Sequence, residues 1–291
     1  MQFAIAGYSD VGRVKETNQD SYVAKVASTN FGDVALVAVA DGMGGLNKGE
    51  LASATVARVL STWFSEKLPT SLETMGSSVE GFDRFVEGQW AGIVQDLNLH
   101  IMRYGLQNQI ALGTTLTAML AIGARYTIIH VGDSRAYEID ENSVQQITED
   151  QTFVHREVAA GRMSAQEALT HPQRNVLLQC IGSSKEVRPQ VVHGVLRPGA
   201  NYLLCSDGFR HVLTDDELVQ KFSGQAIAAV SPEHTTAPAV SPQVSADDAR
   251  APFVTRAQAA LADAVNLVME RKERDNITAC LLGVRKGGEA W

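Results

Sequence analysis

The run VALVAVADGMGG, residues 34–45, constrains this chain more than any other stretch. It opens as an apolar segment of strand length, rich in valine and alanine, and stops abruptly at an acid and glycines. An apolar run of that length bounded by a turn signal suits a strand covered on both faces. Asp41 then stands where the strand leaves the core. Gly42, Gly44 and Gly45 allow a tight turn and a close backbone approach to whatever Asp41 holds. A carboxylate at a strand end, beside bare backbone, is a start for a metal site. It is equally the signature of an ordinary turn, since Asp-Gly pairs mark hairpins in many proteins. Recurrence along the chain separates the two readings.

A length of 291 residues leaves room for one large domain or two small ones, and a hydrophobic share of 45% supplies a sizeable core. The net charge of -8 disfavours non-specific nucleic-acid binding. No apolar run approaches membrane-spanning length, and MQFAIAGYSD lacks the basic region and long apolar segment of a secretory signal. A cytoplasmic protein is therefore expected, with neither nucleic acid nor membrane as a partner. Cys180, Cys205 and Cys280 are widely spaced, lie in apolar contexts and have no base beside them, so buried reduced thiols are expected.

Residues 3–26 read as strand, turn, strand, turn, strand. Arg13 and Lys15 share parity, so an extended middle piece would point both to one side. They are then either surface charges on an edge strand or two cations aimed at an anion. Asn47, with Glu50 three residues on, has capping-box spacing, and Val56, Val59, Leu60, Trp63 and Phe64 share a helical face. Residues 65–81, with Pro69 and several Ser, Thr and Gly, read as loop. Trp90, Ile93, Val94, Leu97 and Ile101 mark a second helix over 85–105.

Strands follow from Thr114, over 126–131 and from Arg135, with Asp133 in the turn between the last two. Residues 148–187 read as short helices at 152–160, 165–169 and 175–181, punctuated by Gly161 and Pro172. Strands are expected at 190–196 and 201–205, the latter running into Ser206-Asp207-Gly208, and a helix at 215–222. Residues 223–253 are mostly Ala, Ser, Thr and Pro and read as a flexible insertion with no core of its own. A last helix, 255–272, leads through Arg274-Asp275-Asn276 into the apolar strand ITACLLGV.

If strands from distant parts of the chain form adjoining sheets, Asp20, Asp41, Asp207 and Asp275 could meet at one edge. Two like charges about 4 Å apart repel by roughly 4 kcal/mol at an effective dielectric of about 20. Acids with no basic residue adjoining each of them would need cations. Oxygen-only ligands, with no Cys or His in these turns, favour magnesium, manganese or calcium over zinc. Two such ions about 3.5–4 Å apart can hold a water between them, acidify it and aim it at phosphorus.

The pieces SDVGRVKETNQDS, ALVAVADGMGG, IHVGDSRAY, LLCSDGF and RDNIT, in this order, resemble the motifs of the metal-dependent serine/threonine protein phosphatases of type 2C, the PPM family, and its bacterial branch most. The likeness spans nearly the whole chain, outside the 223–253 insertion. It implies one α+β domain over 1–291: a four-layer α/β/β/α sandwich of two antiparallel sheets flanked by helices, with hydrolysis at one edge. It implies that Asp41, with the carbonyl of Gly42, bridges two catalytic magnesium or manganese ions. Asp207 and Asp275 would complete one site, Asp20 would hold the second ion, and Asp133 would serve a third. Residues 148–187 would form a flap beside the site. The reaction implied is hydrolysis of phosphoserine and phosphothreonine by a metal-bridging hydroxide, by a monomer acting on phosphoproteins and opposing a bacterial Ser/Thr kinase.

The sequence departs from the family pattern in three places. Lys15 stands where an arginine is usual; it can attract phosphate as a point charge but cannot grip it with two parallel bonds, a task Arg13 could share. Gln19 replaces a common glutamate. Met43 stands where eukaryotic members carry a histidine thought to protonate the leaving oxygen; this is usual in bacterial members and leaves the general acid unassigned, with a metal-bound water as one candidate. Two alternatives stand beside the enzyme: a phosphoprotein-binding pseudophosphatase, and a sheet protein whose acids are only turn residues.

Overall fold

The computed structural model describes residues 1–44, 48–75, 81–231, 248–289 and 291. Among the described residues, two five-stranded antiparallel sheets stand face to face. With elements numbered in chain order, one sheet runs β1 (Gln2–Asp10), β12 (Ile277–Arg285), β11 (Asn201–Cys205), β8 (Arg135–Ile139), β9 (Val144–Gln146). The other runs β10 (Gln190–Val195), β7 (Arg125–Val131), β6 (Leu116–Ile122), β3 (Gly32–Ala40), β2 (Ser21–Thr29). A small ribbon pairs β4 (Gly42–Gly44) with β5 (Leu112–Thr114).

Helices α1 (Gly49–Thr62), α2 (Leu68–Met75) and α3 (Phe82–Asn108) contribute to the core on the outer side of the second sheet. Helices α7 (Asp215–Phe222), α8 (Gly224–Ala229) and α9 (Ala251–Glu270) do so for the first. The short α4 (Phe153–Ala159), α5 (Ala165–Thr170) and α6 (Asp207–Arg210) lie in connections. This is the four-layer sandwich expected above.

Strand β3 shows why the organising run must lie inside. Val34, Leu36, Ala38 and Ala40 face the helices, while Ala35, Val37 and Val39 face the opposite sheet. Both faces of a pleated strand are apolar only when both are covered. Strand β12 repeats the pattern, with Ile277, Ala279 and Leu281 toward α9 and Cys280, Leu282 and Val284 toward the other sheet. All three cysteines are buried and free.

Several connections differ from the sequence expectation. Residues 11–20 form turns rather than a strand, so the shared parity of Arg13 and Lys15 has no consequence. Their backbone is held by Asn276, whose Nδ2 donates to the carbonyls of Val11 and Thr17 and whose Oδ1 accepts from Gln19 N. Residues 65–75 are helical, not loop: a single π-turn, Trp63–Lys67, runs into α2. Phe64, Leu68 and Leu72 then bury one helical face, and Pro69 falls in the first turn of α2, where it is tolerated. Asn47 lies outside the described residues; α1 has Lys48 at its N-cap and no side-chain cap.

Residues 175–181 are not helical. Leu177 and Ile181 make bridges to Thr152 and Thr114. The 223–253 insertion has ordered ends: Ser223 caps α8 by accepting from Ala226 N, and Ile227 and Phe253 are buried against the first sheet. Burial of these two large side chains outweighs the small-residue composition around them. Residues 232–247, the middle of that expected insertion, lie outside the described residues.

Candidate metal centre

The pairing of the strands places the acids. Ser21 is opposite Ala40, so the start of β2 and the end of β3 coincide, and Asp20 and Asp41 leave the sheet together. In the other sheet Cys205 is opposite Ala279, which brings Asp207, after β11, beside Asp275, before β12. Cys205 is also opposite Arg135, which brings the turn holding Asp133 to the same end. Asp41 and Asp207 lie near enough across the two sheets for each to shift the other's carboxyl pKa. Asp20, Asp41, Asp133, Asp207 and Asp275 thus meet at one edge of the sandwich.

Their electrostatics show mutual crowding. Burial, and then the charges of Asp20, Asp207, Asp133 and Asp275, push the Asp41 carboxyl well above its usual range. Burial raises Asp20 to about 7, with Asp207 and Asp275 adding to the effect and the nearby hydroxyls of Thr278 and Ser206 opposing it. Those hydroxyls favour the charge, yet neither oxygen of Asp20 receives an aligned hydrogen bond. Asp133 is raised to about 7 by burial and by Asp207, against the pull of Arg210.

The backbone around Asp41 is fixed. Its N–H donates to Thr115 Oγ1 at 2.9 Å, and its carbonyl accepts from Thr114 Oγ1 and Thr115 N, both at 2.9 Å. Gly42 donates to the carbonyl of Gln19 at 3.1 Å. A Cβ on Gly42 would strike the carbonyl oxygens of Gln19 and Gly49, so only glycine lets α1 approach the acid this closely. Gly208, beside Asp207, is likewise pressed against the carbonyl of Asn276.

Residues 9–285 match the family model of protein phosphatase 2C. The chain belongs to the protein phosphatase 2C family. It is 34% identical over 215 residues to the serine/threonine protein phosphatase PstP of Mycobacterium tuberculosis, a match covering 74% of this chain but 38% of that protein. The crystal structure of the PstP catalytic domain in complex with two manganese ions superposes with a TM-score of 0.68 at 27% identity, covering 98% of this chain and 99% of that one. The serine/threonine phosphatase of S. agalactiae superposes at 0.76 with 24% identity, covering 98% and 100%, and supports the fold.

For a 2C-family site the donor chemistry fits hard divalent cations. Both oxygens of Asp20 and one of Asp207 are buried without a hydrogen-bond partner, a costly state for a carboxylate unless a cation faces it. Among the described residues no three acidic, imidazole or thiol groups are gathered to hold one ion as they stand. Magnesium is commonly held by one or two carboxylates and keeps several waters, so such a gathering is not required.

Positive charge is closer to the acids than the sequence reading allowed. Lys15 Nζ sits 2.7 Å from Asp275. Burial lowers the pKa of that lysine, but the hydrogen bond and charge of Asp275, with Asp41 and Asp207, leave it raised overall. Arg13 is exposed and makes no ion pair among the described residues. Arg210, which the sequence reading missed, opposes the upward shifts of Asp207 and Asp133. Its signal was available: it stands three residues after Asp207, so a helix starting there carries it back over the acid. Glu50, expected to close a capping box, instead has a buried, unpartnered Oε2 in the first turn of α1.

Proposed function

We propose that this chain is a divalent-metal-dependent phosphatase that removes phosphate from serine and threonine residues of proteins, opposing a bacterial Ser/Thr kinase. The observation that carries the reading is the set of bare, buried carboxylate oxygens at the sandwich edge, in a chain of the 2C family. Asp41 with the Gly42 carbonyl, Asp207, Asp275 and Asp20 are the residues that would hold two magnesium or manganese ions, and Asp133 would serve a third. Ions bound there acidify water and neutralise charge on a phosphoryl group.

The chain's own residues supply position and charge. Thr114 and Thr115 hold Asp41 in one place through its backbone. Gly42 and Gly208 keep side chains out of the space where the sheets meet the acids. Lys15 adds a positive charge at the Asp275 side that draws an anionic substrate inward. Residues 148–187 stand beside the site as a flap that contacts the phosphoprotein. Among the described residues no helix is long and apolar enough to cross a membrane. Action as a cytoplasmic monomer completes the reading.

Hydrolysis of p-nitrophenyl phosphate and of a phosphothreonine peptide should require added manganese or magnesium, stop with EDTA, and fall by at least about a thousandfold in Asp41→Ala. Turnover that survives both EDTA and Asp41→Ala would refute the proposal. Tight phosphopeptide binding without turnover at saturating manganese would replace it with a binding role.

A further inference from the structure

Two of the acids, Asp207 and Asp275, sit on strand connections that touch. Asp207 opens α6, and Asp275 precedes β12. A Cβ on Gly208 would come to 3.2 Å from Asp275 Cβ. The turn that carries Asp275 begins at the end of α9. There Lys272 reverses the chain with φ at 66°, and Glu273 N donates back to the carbonyl of Val268.

Glu273 then folds over the acid that follows it. Its Oε1 accepts from the backbone N–H of Arg274 at 2.7 Å and from that of Asp275 itself at 3.2 Å. Its Oε2 lies 3.1 Å from His211 Nδ1, and since a carboxylate only accepts, the imidazole donates from that nitrogen. His211 follows α6, and its backbone N–H donates to the carbonyl of Asp207 at 2.9 Å. A continuous path of hydrogen bonds thus runs from Asp207 through His211 and Glu273 to Asp275. The His211 side chain is 44% exposed, and a pair at such a position contributes at most about 1 kcal/mol to stability, so its main effect is on position. The same joint has a separate brace: Arg271 Nη1 donates to the carbonyl of Val212 at 2.6 Å and to Glu217 Oε2 at 2.8 Å.

We infer that Glu273 and His211 are positioning residues for the metal centre: Glu273 orients Asp275 through its backbone, and His211 locks Glu273 onto the connection that carries Asp207. Neither touches an ion; both act through the aspartates. Groups that orient a metal's ligands are worth roughly ten- to hundredfold in affinity. The inference rests on the metal-dependent reading above and extends the site beyond its acids.

The test reads manganese itself, without substrate. Electron paramagnetic resonance of free manganese, titrated into the metal-free full chain, gives the number of bound ions and their dissociation constants. Glu273→Ala should weaken one of the two ions about tenfold. Glu273→Gln, which keeps an acceptor for the two N–H groups, should restore most of that loss. His211→Ala should cost less than Glu273→Ala, and the double variant no more than Glu273→Ala alone, because the imidazole acts only through that carboxylate. Arg271→Ala, which breaks the neighbouring brace, should lower the melting temperature in EDTA and leave manganese binding unchanged. His211→Ala, a change at a half-exposed side chain, carries the test by itself if Glu273→Ala does not fold.

Unchanged dissociation constants in Glu273→Ala and His211→Ala would overturn the inference and leave the metal-dependent reading intact. Equal weakening in Arg271→Ala would also overturn it, because general loosening of the joint would then explain the loss. A double variant weaker than Glu273→Ala by the full His211→Ala loss would overturn the link through His211. A parent that binds no manganese would overturn the metal-dependent reading, and the positioning pair with it.

Discussion

Asp20→Asn should stabilise the metal-free protein, and the size of the effect follows from the crowding at the sheet edge. Asp20 is buried, its two oxygens lack partners, and burial with Asp207 and Asp275 raises its carboxyl from 3.8 to about 7. At about 1.4 kcal/mol for each tenfold in the proton equilibrium, this amounts to destabilisation on the order of 4 kcal/mol once the group is charged. The sign follows from the raised value. Below the unfolded pKa both states are protonated and nothing is lost. The penalty grows as pH rises toward 7 and is fully present above it. Asparagine keeps the shape and removes the charge. In EDTA at pH 8, Asp20→Asn should therefore melt roughly 10 °C above the parent, with the gap closing toward pH 4. In saturating manganese the order should narrow or reverse, because the variant has lost a ligand. Equal melting temperatures in EDTA at pH 8 would refute the view that these acids are held together against their repulsion.

Manganese at about a hundred times its dissociation constant should stabilise the parent by about 2.7 kcal/mol and Asp41→Ala by much less, which melts with and without the ion will read. Lys15 sits on Asp275 and competes with a cation for that carboxylate, so Lys15→Ala should lower the half-saturating manganese concentration while raising KM for p-nitrophenyl phosphate more than it lowers kcat. A rise in both KM and the manganese requirement would contradict that placement. Asp150→Ala leaves the largely buried Arg135 without its bidentate partner and should cost about 3–5 kcal/mol in urea unfolding. A loss under about 1 kcal/mol would mean the pair behaves as a surface ion pair.

Much of the fold was legible where both faces of an element demand apolar residues. The strands at 34–40 and 277–284 announced themselves as largely apolar runs, and α1 and α3 through Val56, Leu60, Trp90, Val94 and their neighbours at helical spacing. The failures lay where local composition and tertiary packing disagree. Pro69 and the serines around it resemble loop until Phe64, Leu68 and Leu72 find a core to bury in. Ile227 and Phe253 border a stretch of small residues, and only the outer face of the first sheet gives them a reason to be ordered. Residues 175–181 have some helical spacing, but their backbone is claimed by bridges to Thr114 and Thr152.

Residue types and their near neighbours set which chemistry was available: aspartates at strand ends, glycines beside them, and no Cys or His within those turns to favour a softer metal. That much is local, because it depends on residue type and on neighbours within a few positions. That Asp20, Asp41, Asp133, Asp207 and Asp275 share one edge comes from the fold, since it follows from strand pairing between residues far apart in the chain. The fold also decided their charge balance. Lys15 reaches Asp275 from the opposite end of the sequence, and Arg210 faces Asp133 from another strand connection. Electrostatic energy depends on distance through space and on burial, and neither is written in the order of the residues.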